Sequence, residues 1–117
     1  MARLTIRIDF DDGSGLGPGK VQLLELIAET GSIRKGAAQL GMSYRKAWLL
    51  LQALKETFGT ALIETASGGK SGGGTSLTAA GREVVIRYRN LERAATEAAS
   101  PDMKALTRKK TVTKLKH

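Results

Sequence analysis

Five polar residues between positions 34 and 46 have types and spacing that suit a polyanionic partner. They are Arg34 and Lys35, followed by Ser43, Arg45 and Lys46. Arginine can donate a pair of hydrogen bonds to the edge of a guanine, and lysine can reach a base or a phosphate. These five residues are therefore candidates for binding a nucleic acid.

The helices and strands that position these residues can be predicted from the spacing of apolar residues and from the glycines, serines and prolines that begin or end them. Gly31 and Gly41 end two predicted helices, and Ser32 and Ser43 can each cap the helix that follows. The pattern predicts a strand over 4–10, a turn-rich loop over 11–19, and helices over about 18–30, 32–40 and 43–58. The five candidates thus lie on the second and third helices.

The third predicted helix has one apolar stripe with the i, i+3, i+4, i+7 spacing of a buried face. Its members are Tyr44, Ala47, Trp48, Leu51, Leu54 and Phe58. We expect this stripe to face the core, so Ser43, Arg45 and Lys46 should point away from it. In the preceding helix, Ala37 and Ala38, with Gly36 beside them, are small enough for two helices to cross closely.

A small residue followed four positions later by a turn glycine, as in Ala37 and Gly41, is typical of a helix-turn-helix unit. The first residues of a recognition helix meet base edges in the major groove. Residues of the preceding helix, here Arg34 and Lys35, suit backbone phosphates. The pattern therefore predicts binding to double-stranded DNA.

A predicted hairpin follows the third helix, with a tip over residues 67–75 that contains five glycines. Gly69, Lys70 and Ser71 at this tip are candidates for contact with the DNA backbone. The same tripeptide resembles the end of a phosphate-binding P-loop. That reading fails because the motif needs a glycine where the chain has Glu64, and because no helix-forming run follows Ser71. The expected fold is mainly α with a small β-hairpin wing, a winged helix-turn-helix.

A last helix is predicted over about 78–99, within a domain that spans 1–100. Its apolar residues repeat with heptad-like spacing, which suits either a dimer seam or an ordinary core-facing stripe. The candidate dimerisation residues are Val84, Tyr88, Leu91 and Ala95. Residues 101–117 have no sustained apolar period, and we expect a disordered basic tail there.

The charge of the chain favours an anionic partner, since 19 Lys and Arg against 11 Asp and Glu give a net charge of +8. Residues 101–117 carry +5 of this charge and residues 1–100 carry +3. Because a basic tail can make any protein basic, DNA binding by the domain has to be inferred from the positions of its own basic residues and not from the net charge.

The composition argues against several other classes of protein. The chain has no cysteine, and its single histidine is His117, so we expect no metal site, no cofactor and no enzyme. It also lacks an apolar run near the ~20 residues that span a membrane, and its start does not resemble a signal peptide. We expect a cytoplasmic protein that does not bind membranes.

The runs TGSIRKGAAQLGMSYRKAW and TASGGKSGGGTSLTAAG resemble the DNA-binding domain of the molybdate-responsive ModE regulators, over about residues 3–95. The LTAAG segment is also similar to LysR-type regulators. The resemblance implies a homodimer that binds an inverted-repeat operator and controls genes of molybdate uptake or molybdoenzymes. It places recognition on residues 43–46, which adds Tyr44, and the wing on 68–74.

Two expectations qualify this resemblance. Members of the ModE family carry molybdate-binding domains that this sequence does not contain, so we do not expect the chain itself to bind molybdate. Two other functions also remain open: a low-specificity architectural DNA-binding protein driven by the tail, and a winged-helix module for protein–protein interaction.

Overall fold

The computed structural model describes residues 2–66 and 74–115, and their side chains through position 110. It has the predicted fold, mainly helical with a small antiparallel hairpin. In chain order the elements are β1 (Ile8–Asp9), β2 (Gly15–Leu16), α1 (Pro18–Thr30), α2 (Ile33–Gln39), α3 (Tyr44–Phe58), β3 (Ile63–Ala66), β4 (Gly74–Leu77) and α4 (Ala79–Leu115).

The boundaries of α1, α2 and α3 agree with the sequence pattern because capping serines and turn glycines at the helix ends determine them locally. The hydroxyl of Ser32 accepts a hydrogen bond from the backbone N–H of Lys35 at 3.1 Å, and Ser43 caps α3 in the same way through Lys46. Between these two helices Gly41 has a φ of +68°, a conformation that favours glycine. The turn therefore depends on this glycine.

The core lies where α1, α2 and α3 meet α4 and the base of the hairpin. Helix α1 contributes most of the largest buried side chains, which include Leu23, Leu24 and Ile27. Helix α2 approaches α1 through Gly36, where an added Cβ would lie 3.2 Å from the backbone nitrogen of Ile27. Ala37 is buried beside it, whereas Ala38 is exposed. The small residue at the crossing of α1 and α2 is thus Gly36. Ala38 was predicted to allow a close crossing of α2 and α3, and its exposure shows that this prediction was wrong.

The predicted apolar stripe of α3 is only partly buried. Ala47, Leu51 and Leu54 belong to the core, and Phe58 packs edge-on against Phe10 with 5.8 Å between ring centroids. Tyr44 and Trp48, however, are 41% and 45% exposed, so their assignment to the core was wrong. They lie on one edge of the stripe, where α3 borders an open groove against β3.

The predicted N-terminal strand is shorter than its alternating pattern indicates. Only Ile8 and Asp9 pair in a ladder, with Leu16 and Gly15 of β2. Upstream, the carbonyl of Ile6 accepts a hydrogen bond from the hydroxyl of Tyr88 at 2.8 Å. Part of the segment over 4–7 is therefore attached to α4 by a side chain. The ladder does not continue along this segment because β2 ends at Leu16 and α1 begins at Pro18.

Strands β3 and β4 form the wing, in a register that pairs Ile63 with Leu77 and Ala66 with Gly74. The backbone N–H of Thr75 donates to the carbonyl of Gly31 at 2.9 Å, which ties the wing to the turn between α1 and α2. The predicted tip contacts Gly69, Lys70 and Ser71 lie outside the described residues.

Helix α4 begins at the predicted cap, since the hydroxyl of Thr78 accepts from the N–H of Gly81 at 3.0 Å. It runs to Leu115, so the expected disorder is wrong for residues 101–115. Pro101 lies within the helix, where it removes one backbone donor. The residues that follow it include Met, Lys, Ala, Leu and Arg, all good helix formers, and they continue the helix.

One charged cluster attaches α4 to α1. The guanidinium of Arg89 donates to both carboxylate oxygens of Glu25, at 2.9 and 2.6 Å, and to Glu92 at 2.7 Å. The hydrogen bonds to Glu25, helped by the one to Glu92, raise the pKa of Arg89 despite its partial burial. The cluster therefore favours the charged guanidinium and holds α4 against α1.

The close contact of α4 with the strand β3 region predicts the effect of one substitution. A Cβ at Gly81 would collide with the carbonyl oxygen of Leu62, which already accepts from the N–H of Thr78. We expect Gly81→Ala to lower the free energy of unfolding by about 1–3 kcal/mol, as overpacking usually does, measured by urea unfolding.

Gly19→Ala is the matched control for this prediction. Gly19 lies in α1 with no atom within 4 Å of an added Cβ. Alanine should therefore leave stability unchanged or raise it, because it favours the helix by up to about 1 kcal/mol. Equal stability of the Gly81→Ala variant and the wild type would contradict the close packing described above.

Candidate nucleic-acid interface

The starts of α2 and α3 form one basic surface. Arg34 and Lys35 lie in the first turn of α2, and Arg45 and Lys46 lie in the first turn of α3; all four side chains are exposed. Within the described part of the chain, none of these four takes part in an ion pair. Their charge is therefore available to an anionic partner.

Ser43 and Tyr44 have different positions from these cations. The hydroxyl of Ser43 already accepts the capping hydrogen bond from Lys46, so its first role is to shape the start of α3. The ring of Tyr44 lies 4.5 Å from the guanidinium carbon of Arg34, which brings the two helix starts into direct contact. Of the sequence-predicted candidates, Arg34 and Tyr44 are thus the pair whose side chains join α2 to α3.

The wing borders the same surface. An open cleft separates it from the helix starts, and the cleft is lined by Arg34, Tyr44 and residues of both wing strands, including Thr65 and Thr75. Because Thr75 also hydrogen-bonds to Gly31, the base of the wing has a defined position beside α2. The cleft can therefore receive an extended anionic backbone between the wing and the helix starts.

The outward face of α3 carries two apolar side chains that the sequence analysis did not assign to this surface. Leu49 is 49% exposed and lies one turn beyond Arg45 on the same face. Trp48 borders the groove against β3 with Gln52 and Lys55. The four-residue spacing from Arg45 could have revealed Leu49, whereas Trp48 matched the core stripe and gave no such signal.

The candidate dimer residues divide into two groups. Tyr88 is 1% exposed and belongs to the core of its own chain, so its assignment to a dimer seam was wrong. Leu91 is 44% exposed, and Val84 and Ala95 are half-buried. Val84 and Leu91 line an apolar groove of about 360 Å³ between α4, the end of α3 and the β1–β2 hairpin.

Neither a cluster of potential metal ligands nor a membrane-spanning helix occurs among residues 2–66 and 74–115. That part of the chain has no group of three or more His, Asp or Glu side chains that could hold a metal ion. None of its helices combines the length and the apolar character that crossing a membrane requires.

Comparison with known proteins identifies the family. The family described as bacterial regulatory helix-turn-helix protein, lysR family, matches residues 19–82, from the start of α1 into α4. The chain belongs to this family. The family consists of regulatory helix-turn-helix proteins rather than enzymes, and several relatives are named transcriptional regulators, so this lysR-family chain is a DNA-binding domain of that type.

Curated relatives confirm the resemblance to the ModE regulators. The chain is 49% identical over 71 residues to the molybdenum transport protein ModE of Herbaspirillum seropedicae, covering 61% of this chain and 26% of that protein. It is 37% identical over 92 residues to the protein of the same name from Azotobacter vinelandii, covering 79% and 33%. It is 39% identical over 71 residues to the DNA-binding transcriptional dual regulator ModE of Escherichia coli K12, covering 61% and 27%. The chain thus spans a third or less of the length of these relatives.

Solved structures show the same fold for this lysR-family chain. The DNA-binding domain of CbnR in complex with DNA has a TM-score of 0.59 and 24% identity, covering 75% of this chain and 95% of that one. Full-length CbnR complexed with its target DNA has a TM-score of 0.57 and 24% identity, covering 73% and 28%. These comparisons confirm the winged helix-turn-helix predicted from the sequence.

Proposed function

We propose that this lysR-family chain binds one inverted-repeat operator as a homodimer and regulates transcription from it. The observation that carries the proposal is the basic surface formed by four exposed cations at the starts of α2 and α3, beside the base of the wing. These cations have no carboxylate partners among the described residues, so binding to phosphates does not have to break existing ion pairs.

The two helices have different roles in this proposal. Arg45 lies on the outward face of α3, where a side chain entering the major groove can donate two hydrogen bonds to a guanine. Arg34 and Lys35 on α2 contact phosphates, and the affinity they supply falls as salt concentration rises. Lys70 of the wing tip is proposed as a further phosphate contact from its sequence alone.

The proposed dimer forms through α4. Val84, Leu91 and Ala95 lie on one face of this helix at spacings of seven and four residues, and Leu91 is exposed in the single chain. The apolar groove that continues from Val84 and Leu91 gives the second copy a surface to bury. A two-fold dimer would place two α3 helices in successive major grooves, which requires an inverted repeat.

Genes of molybdenum uptake or molybdoenzymes are the proposed targets. The relatives carrying the name ModE are described as molybdenum transport proteins or transcriptional regulators, and the chain matches a third or less of each. We do not propose that this chain itself binds molybdate.

Selection of bound duplexes from a random library tests the proposed function. We expect a palindromic consensus, because a symmetric dimer reads the same half-site twice in opposite orientations. Uniform recovery of unrelated sequences would instead favour an architectural DNA-binding protein. Absence of any DNA binding would favour a protein–protein module, and either result would overturn the proposal.

Arg45→Ala tests the base contact. We expect it to weaken binding to the selected site by about 1–3 kcal/mol, with a much smaller effect on random duplex, because a bidentate contact distinguishes guanine from other bases. Fluorescence anisotropy at fixed salt measures both. Arg7→Ala is the control, since it removes the same charge from an exposed residue outside α2, α3 and the wing. Equal losses on both DNAs would show that Arg45 contacts only phosphate.

Leu91→Glu tests the dimer. A carboxylate at this exposed apolar position should disfavour burial against a second copy, so we expect a shift from dimer to monomer in sedimentation equilibrium. Ile86→Glu is the matched control, because Ile86 is 58% exposed and lies on the opposite side of α4. An unchanged mass for Leu91→Glu, or an equal shift for Ile86→Glu, would contradict a seam through Leu91.

A further inference from the structure

The contact between Arg34 and Tyr44 joins the first turn of α2 to the first residue of α3. The guanidinium carbon lies 4.5 Å from the centre of the ring, within the range of a cation–π interaction. Tyr44 is 41% exposed, so its ring is not held in the core. Its described partner at this surface is instead the side chain of Arg34.

Arg34 can bind a phosphate while its guanidinium contacts the ring of Tyr44. The guanidinium has five N–H donors, which lie in its plane and point outward, and contact with one ring cannot occupy all of them. The contact with Tyr44 therefore leaves donors for a phosphate. Arg34 and Tyr44 both line the cleft beside the wing, where a DNA backbone strand would lie.

An unstacked arginine on an exposed helix turn samples many rotamers, and binding a phosphate then costs the entropy of ordering it. Stacking on Tyr44 reduces this freedom before DNA arrives. We propose that Tyr44 is a positioning residue for Arg34, which holds the guanidinium at the cleft so that it binds a phosphate of the operator. This inference rests on the proposed function and assigns Tyr44 a role other than reading bases.

Tyr44 and its neighbour Arg45 should therefore affect DNA binding in different ways. A residue that acts through a phosphate contact affects all sequences alike, whereas Arg45 should affect the selected site more than random duplex. The aromatic ring is needed for stacking and the hydroxyl is not, so phenylalanine should replace tyrosine. The same effect should disappear when Arg34 is absent.

A double-mutant cycle with Tyr44→Leu and Arg34→Gln tests the inference by anisotropy on the selected site and on random duplex. We expect Tyr44→Leu to weaken binding about two- to fivefold on both DNAs, in line with an exposed cation–π contact, and Tyr44→Phe to bind like the wild type. In the Arg34→Gln background, Tyr44→Leu should have no further effect. In the Lys35→Gln background, the matched control, the full loss should remain.

NMR of the free protein detects the contact between Arg34 and Tyr44 directly, without relying on DNA affinity. The δ-methylene protons of Arg34 should show an upfield ring-current shift in NMR spectra of the wild type and of Tyr44→Phe, and should lose it in Tyr44→Leu. An equal loss of affinity with and without Arg34, or an absent ring-current shift, would overturn the inference while leaving DNA binding in place. A wild-type protein that binds no DNA would overturn the proposed function and, with it, this inference.

Discussion

The arrangement of the DNA-binding surface depends on the close crossing of α1 and α2 at Gly36. With no side chain at this position, the backbone of α2 can lie against Ile27 and the adjoining turn of α1. This contact sets the position of α2, and the glycine turn at Gly41 then sets the direction in which α3 leaves it. A side chain at the crossing would press against the backbone of α1, so either α2 or its neighbours in α1 would have to shift.

The three helices could be predicted from the sequence because serine caps and turn glycines determine where they begin and end. A serine cap or a turn glycine acts within four residues, so its effect can be recognised without knowledge of the fold. The burial of Tyr44 and Trp48 could not be predicted in this way. Both fit the periodicity of the core stripe, but residues at the edge of a stripe are buried only if a neighbouring element covers them. Here β3 leaves a groove beside α3.

The same reasoning accounts for the errors in α4. The absence of an apolar period suggested that the helix ends before residue 101, yet neither this absence nor Pro101 prevents a helix whose other residues favour it. The heptad-like spacing of Tyr88 and Leu91 was real, but spacing alone does not distinguish a core contact from a dimer contact. The difference between Tyr88 and Leu91 comes from the N-terminal segment, which covers α4 at Tyr88. The Ile6 carbonyl of this segment accepts a hydrogen bond from the Tyr88 hydroxyl.

The placement of charge matters more to this surface than its total. Residues 1–100 carry a net charge of only +3, and several of their arginines are neutralised locally, as Arg89 is by Glu25 and Glu92. The four cations at the starts of α2 and α3 have no such partners among the described residues. The basic residues thus serve two purposes: Arg89 is paired and attaches α4 to α1, whereas the four cations at the helix starts are unpaired among the described residues and face outward. Positive charge is therefore concentrated where α2, α3 and the wing meet.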